Sequence, residues 1–125
     1  MTLSPALAVA VGASAGALAR WKLGAWLNPL WAGFPLGTLA VNVVGGLLVG
    51  MAVVWLSRHP DESLRLLLVT GVLGGFTTFS AFSAESLILI QQGRFPVAVL
   101  HTLAHVLGGL GCAALGAWLM RNGLV

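Results

Sequence analysis

The chain has 125 residues, of which 58% are hydrophobic and only 7% are charged, and its formal net charge at pH 7 is +3. Soluble domains carry about a quarter charged residues, so this composition excludes an ordinary soluble protein and predicts a protein of the lipid bilayer. Its six Lys and Arg residues are dispersed, which excludes nucleic-acid binding because that function needs a clustered basic face. The length predicts one domain, residues 1–125.

Four apolar segments follow one another along the chain, at residues 5–26, 36–56, 64–90 and 95–120. Each is close to the roughly 20 residues that a helix needs to cross the hydrocarbon core of a bilayer. The connections between them are too short to hold a separate soluble domain. We therefore predict an all-α membrane protein with four transmembrane helices.

Pairs of glycines four residues apart recur in the first three segments: Gly12 and Gly16, Gly46 and Gly50, and Gly71 and Gly75. Such spacing lets helix backbones approach closely in lipid, where no hydrophobic force drives helices together. A small four-helix protein is not expected to enclose a polar route alone, so helix association should matter.

A run of small, hydroxyl-bearing and aromatic residues, Gly74 to Ser83, lies at the centre of the third segment. Two glycines weaken a helix, and Thr and Ser hydroxyls can bond to backbone groups that a break sets free. Irregular backbone at membrane depth survives only where protein or water covers it. The third helix is therefore predicted to be broken near its centre, and the break is a candidate ion site.

Asn42 lies about two turns inside the second segment. Its side-chain amide supplies two N–H donors and one acceptor. It can make a hydrogen bond between helices, or it can present its N–H groups to an anion. Taken alone, the residue leaves both interpretations open.

Phe76, Phe79 and Phe82 are three residues apart, so helical spacing predicts them roughly on one face. A phenylalanine stripe is usually lipid-facing or part of a core. An aromatic ring, however, has a positive edge, and two such edges can hold a small anion without a full charge that would trap it.

Positive charges are balanced between the two sides of the predicted membrane protein. Arg58, Arg65 and Arg121 fall on one side, and Arg20, Lys22 and Arg94 fall on the other. An excess of Lys and Arg on the cytoplasmic side sets orientation, so this balance predicts insertion in both directions.

Taken together, these stretches resemble the Fluc (CrcB) fluoride channels of microbial membranes. The resemblance covers nearly the whole chain and rests on four motifs: Gly16–Trp21, Gly37–Asn42, Gly74–Glu85 and Gly93–Phe95. It implies an antiparallel, dual-topology homodimer in the cell membrane, with two fluoride pathways. Asn42 would line a pore, and Phe79 and Phe82 would face fluoride. Main-chain carbonyls of Gly74 and Thr77 would hold a structural sodium ion (Na+) at the dimer centre.

The chain departs from the family pattern at two places. Ser80 is followed by Ala81 where the family usually has Ser-Thr, so Ser80 alone supplies a hydroxyl to that part of the pore. His101 stands where some relatives carry a pore tyrosine, and the chain has no tyrosine. The resemblance makes His101 a candidate fluoride donor.

His101 and His105 are four residues apart on one helical face, a spacing that also occurs in metal sites. Two ligands are too few, and the segment offers no third, so packing or pore-lining roles are favoured. Glu85 is the one acidic residue deep in a predicted segment and is a functional candidate by that fact. We expect it to bond to Ser, Thr or backbone donors.

Other functions explain less of the sequence. A small dual-topology, proton-coupled multidrug exporter would use Glu85 but would not explain the glycine-threonine break. A non-transporting assembly protein would leave Asn42 and the break without a role. No nucleophile, base and orienting acid occur together and no phosphate loop is present, so an enzyme is not expected. Together with the resemblance to the Fluc (CrcB) family, these observations predict a passive, fluoride-selective channel that lowers fluoride toxicity in the cytoplasm.

Overall fold

The computed structural model describes residues 4–31 and 33–125, and it is all-α over those residues. Helix α1 is Pro5–Leu27, α2 is Leu36–Arg58, α4 is Phe79–Gln91 and α5 is Phe95–Arg121. Helix α3 covers residues 62–76 in three consecutive pieces, Glu62–Arg65, Leu66–Leu73 and Gly74–Phe76, of which the middle one is π-helical. A short 3₁₀ turn, Asn28–Leu30, follows α1.

The predicted segments agree with these helices to within two residues at each end. Among the described helices, Leu36–Arg58, Glu62–Gln91 and Phe95–Arg121 are long and apolar enough to cross a membrane. Three of the four predicted crossings are therefore supported by length and composition. The crossing by α1, whose 23 residues include Arg20 and Lys22, stays a prediction.

The glycine pairs bring helices of the same chain together. Helix α1 packs along α3, and α2 packs along α5. A Cβ atom on Gly12 or Gly16 would collide with backbone carbonyls of α3, and one on Gly46 or Gly50 would collide with backbone carbonyls of α5. Residue numbers rise in the same direction along both contacts, so the helices of each pair run parallel. The glycine spacing is thus used for packing within one chain.

The break predicted in the third segment is present, and it falls at two threonines. Thr77 has φ −81° and ψ 155°, and Thr78 has φ −149° and ψ 114°, so both are extended between two helices. The glycines Gly74 and Gly75 just before them remain helical. Phe76 therefore belongs to α3 while Phe79 and Phe82 belong to α4, and the prediction of one continuous three-ring face was wrong for Phe76.

Among the residues that the structure describes, four polar side chains are buried between the apolar helices: Thr38, Ser86, His101 and His105. The imidazole of His101 is completely buried. Buried polar groups are costly unless hydrogen bonds satisfy them, and in lipid no water from the side can do so. These residues, next to the break, mark the part of the fold where function is to be sought.

Candidate ion site at the helix break

The side chain of Asn42 on α2 replaces the helical partners that Thr78 loses at the break. The Thr78 backbone N–H donates to Asn42 Oδ1 at 2.8 Å, and Asn42 Nδ2 donates to the Thr78 carbonyl at 3.0 Å. The amide thus pairs with the extended backbone much as a neighbouring strand would. The interpretation of Asn42 as an interhelical hydrogen bond is confirmed, and its partner is the backbone of the break.

The second N–H of the Asn42 amide fixes the proton position on His105. Nδ2 lies 2.8 Å from His105 Nδ1, and since Nδ2 is a donor, Nδ1 must accept with its lone pair. A neutral His105 therefore carries its proton on Nε2. That Nε2 is buried and has no hydrogen-bond partner among the described residues, in a side chain only 4% exposed. An unsatisfied N–H donor is thus held in the core beside the break.

Two phenylalanine rings stand next to this donor. The ring of Phe82 stacks on the His105 imidazole, with centroids 4.8 Å apart and planes 13° apart. Phe79 meets Phe82 in a T-shaped arrangement at 4.8 Å, with planes 80° apart, so the edge of one ring points at the other ring. Phe82 is buried, whereas Phe79 is 76% exposed on the surface of the chain.

One open groove, with a volume of about 490 Å³, collects most of the residues predicted to handle ions. Its wall includes residues from α2, α3, the break, α4 and α5: Asn42, Gly74, Thr77, Thr78, Phe79, Phe82 and His105. The groove otherwise has an apolar lining. The structure therefore brings Asn42, both predicted rings and both predicted sodium ligands to one place.

A second space, of about 470 Å³, lies on the other side of Thr78 and has a more charged wall. It is bordered by Arg20, Thr38, Thr78 and Glu85. Arg20 Nε donates to the carbonyl of Gly75 at 3.1 Å, so this guanidinium helps to satisfy the broken helix. Because Arg20 is bonded to the backbone of the break within the helix bundle, its charge should not be counted as that of a loop residue in the balance of charges.

Glu85 is held by hydrogen bonds from two other helices. Thr38 Oγ1 on α2 donates to Glu85 Oε2 at 2.7 Å, and His101 Nε2 on α5 lies 3.2 Å from Glu85 Oε1. The expected bond to a hydroxyl donor is therefore present. On its other side, His101 Nδ1 lies 2.7 Å from the hydroxyl of Ser86. Both nitrogens of His101 are thus engaged, and its direct contact with fluoride stays a prediction.

In the structure, Glu85 from α4 lies beside His101 and His105 and gives the third possible metal ligand that their own helix does not contain. One ligand atom each from Glu85, His101 and His105 lie within 4.8 Å of one another. The number of free ligand atoms nevertheless disfavours a metal. His105 offers none, because the lone pair of its Nδ1 accepts from an Asn42 N–H and its Nε2 is protonated. Two available ligands do not make a transition-metal site.

The predicted sodium ligands have carbonyls that the break sets free. In a continuous helix the Gly74 and Thr77 carbonyls would accept from the N–H groups of Thr78 and Ala81. Here Thr78 N–H donates to Asn42, and Ala81 N–H donates to Thr78 Oγ1 at 3.0 Å. Both carbonyls belong to residues that line the open groove, and carbonyl oxygens suit a hard cation. The residues present therefore fit a sodium ion.

Two residues of this region differ in how far the sequence predicted their place: Ser80, predicted to line the pore, and His105. Ser80 is exposed and lies 3.3 Å from the Thr78 hydroxyl, beside the break but outside the groove wall. His105, left open between packing and pore lining, holds the unsatisfied donor. Thr38 was missed, although its spacing of four residues from Asn42 places both on one helical face, a signal that was available.

The fold and the site define a multi-pass membrane protein in which polar side chains gather around a broken helix. The family model described as CrcB-like protein, Camphor Resistance (CrcB) matches residues 7–117, and the chain belongs to this family. A protein of Aromatoleum aromaticum named "Fluoride-specific ion channel FluC" is 50% identical over 119 residues, covering 90% of this chain and 91% of that relative.

Two further relatives carry the same name. The Erwinia tasmaniensis protein is 45% identical, covering 94% of this chain and 96% of its own length. The Thiobacillus denitrificans protein is 44% identical, covering 92% and 94%. Membership of this family and three helices able to cross a membrane make the chain a multi-pass protein of the cell membrane.

Proposed function

We propose that this chain is a fluoride-selective channel through which fluoride leaves the cytoplasm passively. The unsatisfied Nε2–H of His105 is the observation on which this proposal depends, because a buried donor without a partner is a costly feature that an anion would satisfy. Relatives that match over nine-tenths of the chain or more are named as fluoride channels, which supports the same conclusion. They are channels rather than enzymes or exporters, so the multidrug exporter is not favoured.

The chemistry of the groove suits a small, strongly hydrated anion. Fluoride must exchange its hydration shell for donors in the wall, and it must also leave, so binding has to be shared among several weak contacts. The His105 N–H and the ring edges of Phe79 and Phe82 are contacts of that kind. None of the described groove residues carries a full positive charge that would trap the ion.

The two spaces beside Thr78 suggest the route. Thr78 borders both the groove with Asn42 and His105 and the space with Arg20 and Glu85. In our proposal fluoride is attracted by Arg20 in the charged space and passes Thr78 and Ser80 into the groove. There it meets Phe82, Phe79 and the His105 N–H. The contribution of His101 runs through Glu85, to which it is bonded.

Replacing the rings tests this proposal directly. Phe79→Ile and Phe82→Ile keep apolar bulk but remove the positive ring edge, so we expect each to lower fluoride efflux from liposomes by about tenfold or more. Efflux of fluoride and chloride should be measured side by side in the same vesicles. The unaltered protein should pass fluoride and exclude chloride.

Phe95→Ile is the matched control, because Phe95 is exposed at the start of α5, away from the groove wall. Its fluoride efflux should equal that of the unaltered chain. Equal chloride efflux in the unaltered protein would overturn the selectivity, and normal fluoride efflux in both ring variants would return the rings to a packing role.

The working unit in this proposal is an antiparallel homodimer of dual topology. The groove is open, and Phe79 on its wall is far more exposed than a pore ring would be in a closed wall. A second copy would cover it. The balance of positive charge between the two sides of the membrane changes little when Arg20 is left out. Two residues then remain on one side, Lys22 and Arg94, and three on the other, Arg58, Arg65 and Arg121. This difference gives only a weak preference for one orientation.

A structural sodium ion at the dimer centre is part of the same proposal. Two copies would each contribute the Gly74 and Thr77 carbonyls, giving four oxygen ligands from backbone that the break has released. Such an ion would neutralise carbonyl dipoles and tie the two copies together. Its role would be structural.

Sodium binding should depend on the backbone at Thr77 and not on its side chain. We expect the thermal midpoint of the detergent-solubilised protein to be several degrees higher in sodium than in N-methyl-D-glucamine buffer, because a bound ion stabilises the folded state. Thr77→Val should keep this difference. Thr77→Pro should lose it, because it removes the N–H that donates to Leu73 and disturbs Phe76. A midpoint of the unaltered protein that ignores sodium would contradict the assignment.

A further inference from the structure

A third space, of about 270 Å³, lies between the segment that joins α1 to α2 and the second half of α4. The wall of this space, which we term the turn pocket, includes Asn28, Trp31, Phe34, Glu85, Ile88 and Gln92. The turn pocket shares Glu85 with the space that Arg20 lines. It has no described wall residue in common with the groove that Asn42 lines. The proposed fluoride route therefore leaves the turn pocket unused.

Glu85 brings a carboxylate without a permanent cationic partner to the turn pocket. Its oxygens lie 2.7 Å from Thr38 Oγ1 and 3.2 Å from His101 Nε2. Of the Lys and Arg residues, all of which the structure describes, none has a side-chain nitrogen within 4 Å of these oxygens. A carboxylate has about four acceptor positions, so positions remain for a ligand. A charge at membrane depth is costly unless it is paired, and a bound cation would pair it.

Two aromatic rings supply the apolar part of the same wall. The rings of Trp31 and Phe34 have centroids 5.4 Å apart, and Trp31 is 58% exposed. The face of an indole ring attracts a cation, and tryptophan does so more strongly than tyrosine or phenylalanine. The chain makes such a contact at another place, where Lys22 Nζ lies 5.5 Å from the centroid of the Trp26 ring. A carboxylate beside an exposed indole favours an organic cation over a metal ion, which takes several oxygen ligands.

We propose that the turn pocket is a binding site for a small organic ammonium ion with an apolar body. The ammonium group bonds to Glu85, and the apolar body lies against Trp31 and Phe34. The volume of about 270 Å³ is below the roughly 300–1,000 Å³ of pockets for drug-sized ligands, so it suits one ring with a short chain. This ligand site is additional to the proposed fluoride route and does not depend on it.

Arg94 limits the charge that the ligand can carry. Its Nη1 donates to the carbonyl of Gly33 at 3.3 Å in an exposed contact, and Gly33 belongs to the wall of the turn pocket. Water and salt screen an exposed charge, so Arg94 does not prevent the binding of one positive charge at Glu85. A second positive charge at the outer end of the ligand would be repelled. The ligand class is therefore that of monocations.

Benzylammonium is the probe, because it combines one ammonium group with one ring. We expect it to raise the thermal midpoint of the detergent-solubilised chain as its concentration rises, since a ligand that binds the folded state stabilises it. Benzyl alcohol has the ring without the charge, and methylammonium has the charge without the ring. Each should bind about tenfold more weakly than benzylammonium. Sodium concentration and ionic strength should be the same in all samples.

Three variants locate the bound probe. Glu85→Gln keeps the shape of the side chain but removes its charge, and Trp31→Leu keeps apolar bulk but removes the ring, so each should weaken benzylammonium binding about tenfold. Ile88→Trp fills the turn pocket from an exposed position on α4 and should abolish binding. Leu87→Trp is its matched control, because Leu87 is exposed on the same helix and lies outside the wall. Trp26→Leu is the control for Trp31→Leu, and both controls should keep the unaltered affinity.

Each measurement can overturn a stated part of the proposal. A thermal midpoint of the unaltered chain that does not respond to benzylammonium overturns the whole proposal. Equal affinity for benzylammonium and benzyl alcohol overturns the role of Glu85, and equal affinity in Ile88→Trp and the unaltered chain places the ligand outside the turn pocket. Fluoride transport enters none of these measurements. An unaltered protein that binds benzylammonium but passes no fluoride would overturn the proposed channel and leave this site standing.

Discussion

Asn42→Leu is expected to abolish most fluoride efflux and to destabilise the protein. The leucine leaves the Thr78 N–H and carbonyl without the partners they have at 2.8 and 3.0 Å, and it leaves His105 Nδ1 without its donor. A fully buried unsatisfied group costs about 1–3 kcal/mol, so the two part-buried backbone groups together cost at most about 2–6 kcal/mol. The break should lose its fixed shape.

Efflux of fluoride from liposomes and the thermal midpoint in detergent measure the two effects separately. Val44→Leu, two residues further along α2 and so on a different face of the helix, is the matched control, because Val44 is exposed on the chain. It should behave as the unaltered protein. If Asn42→Leu keeps both a normal midpoint and normal efflux, the break does not depend on the amide and Asn42 has no part in the route.

Charge added to one loop is expected to abolish export when the variant is expressed alone and to restore it when two opposite variants are co-expressed. Pro29→Lys with Leu30→Lys should hold the first loop in the cytoplasm, and His59→Lys with Pro60→Lys should hold the second loop there. Each set fixes one orientation, so an antiparallel dimer can form only from the two together. Export should fall to a small fraction in either single expression.

The structure decides where these lysines can be placed. All four positions are exposed, whereas the neighbouring Asn28 must be kept because its Oδ1 accepts from the Gly37 and Thr38 N–H groups at the start of α2. Glutamine at Pro29 and Leu30 is the uncharged control and should keep normal export. Labelling of an added terminal cysteine reports orientation. Normal flux from a singly expressed, fully oriented variant would show that the working unit is parallel or monomeric.

Local chemistry made the helices predictable. The ends of α2 and α5 agree with the predicted segments because they depend on local signals. These signals are hydropathy, a proline and flanking polar residues, and all of them lie within a few positions of each helix end. The break was predictable for a related reason, since a run of glycine and hydroxyl residues weakens a helix wherever it occurs. Its position at Thr77 and Thr78, after the glycines, depended on Asn42 and Arg20 from other helices.

The site residues also divide into those that the sequence predicted and those whose role depended on the tertiary structure. Asn42, Phe79, Phe82, Gly74 and Thr77 were named from sequence and a family resemblance, and the structure places all five on one groove. The continuous face expected for Phe76 failed because helical spacing holds only while the helix continues. The role of His105 was hidden, since four-residue spacing gives no information about which nitrogen carries a proton.

The sequence by itself determined a membrane protein, its helix ends, its broken segment and a balanced set of charges. These properties follow from residue type and from neighbours along the chain. Only the tertiary structure decided that Asn42 pairs with Thr78, 36 residues away, and that His101 meets Glu85, 16 residues away. Hydrogen bonds between helices depend on packing and on how donors are shared among all their acceptors, and neither is encoded in the order of residues along one helix.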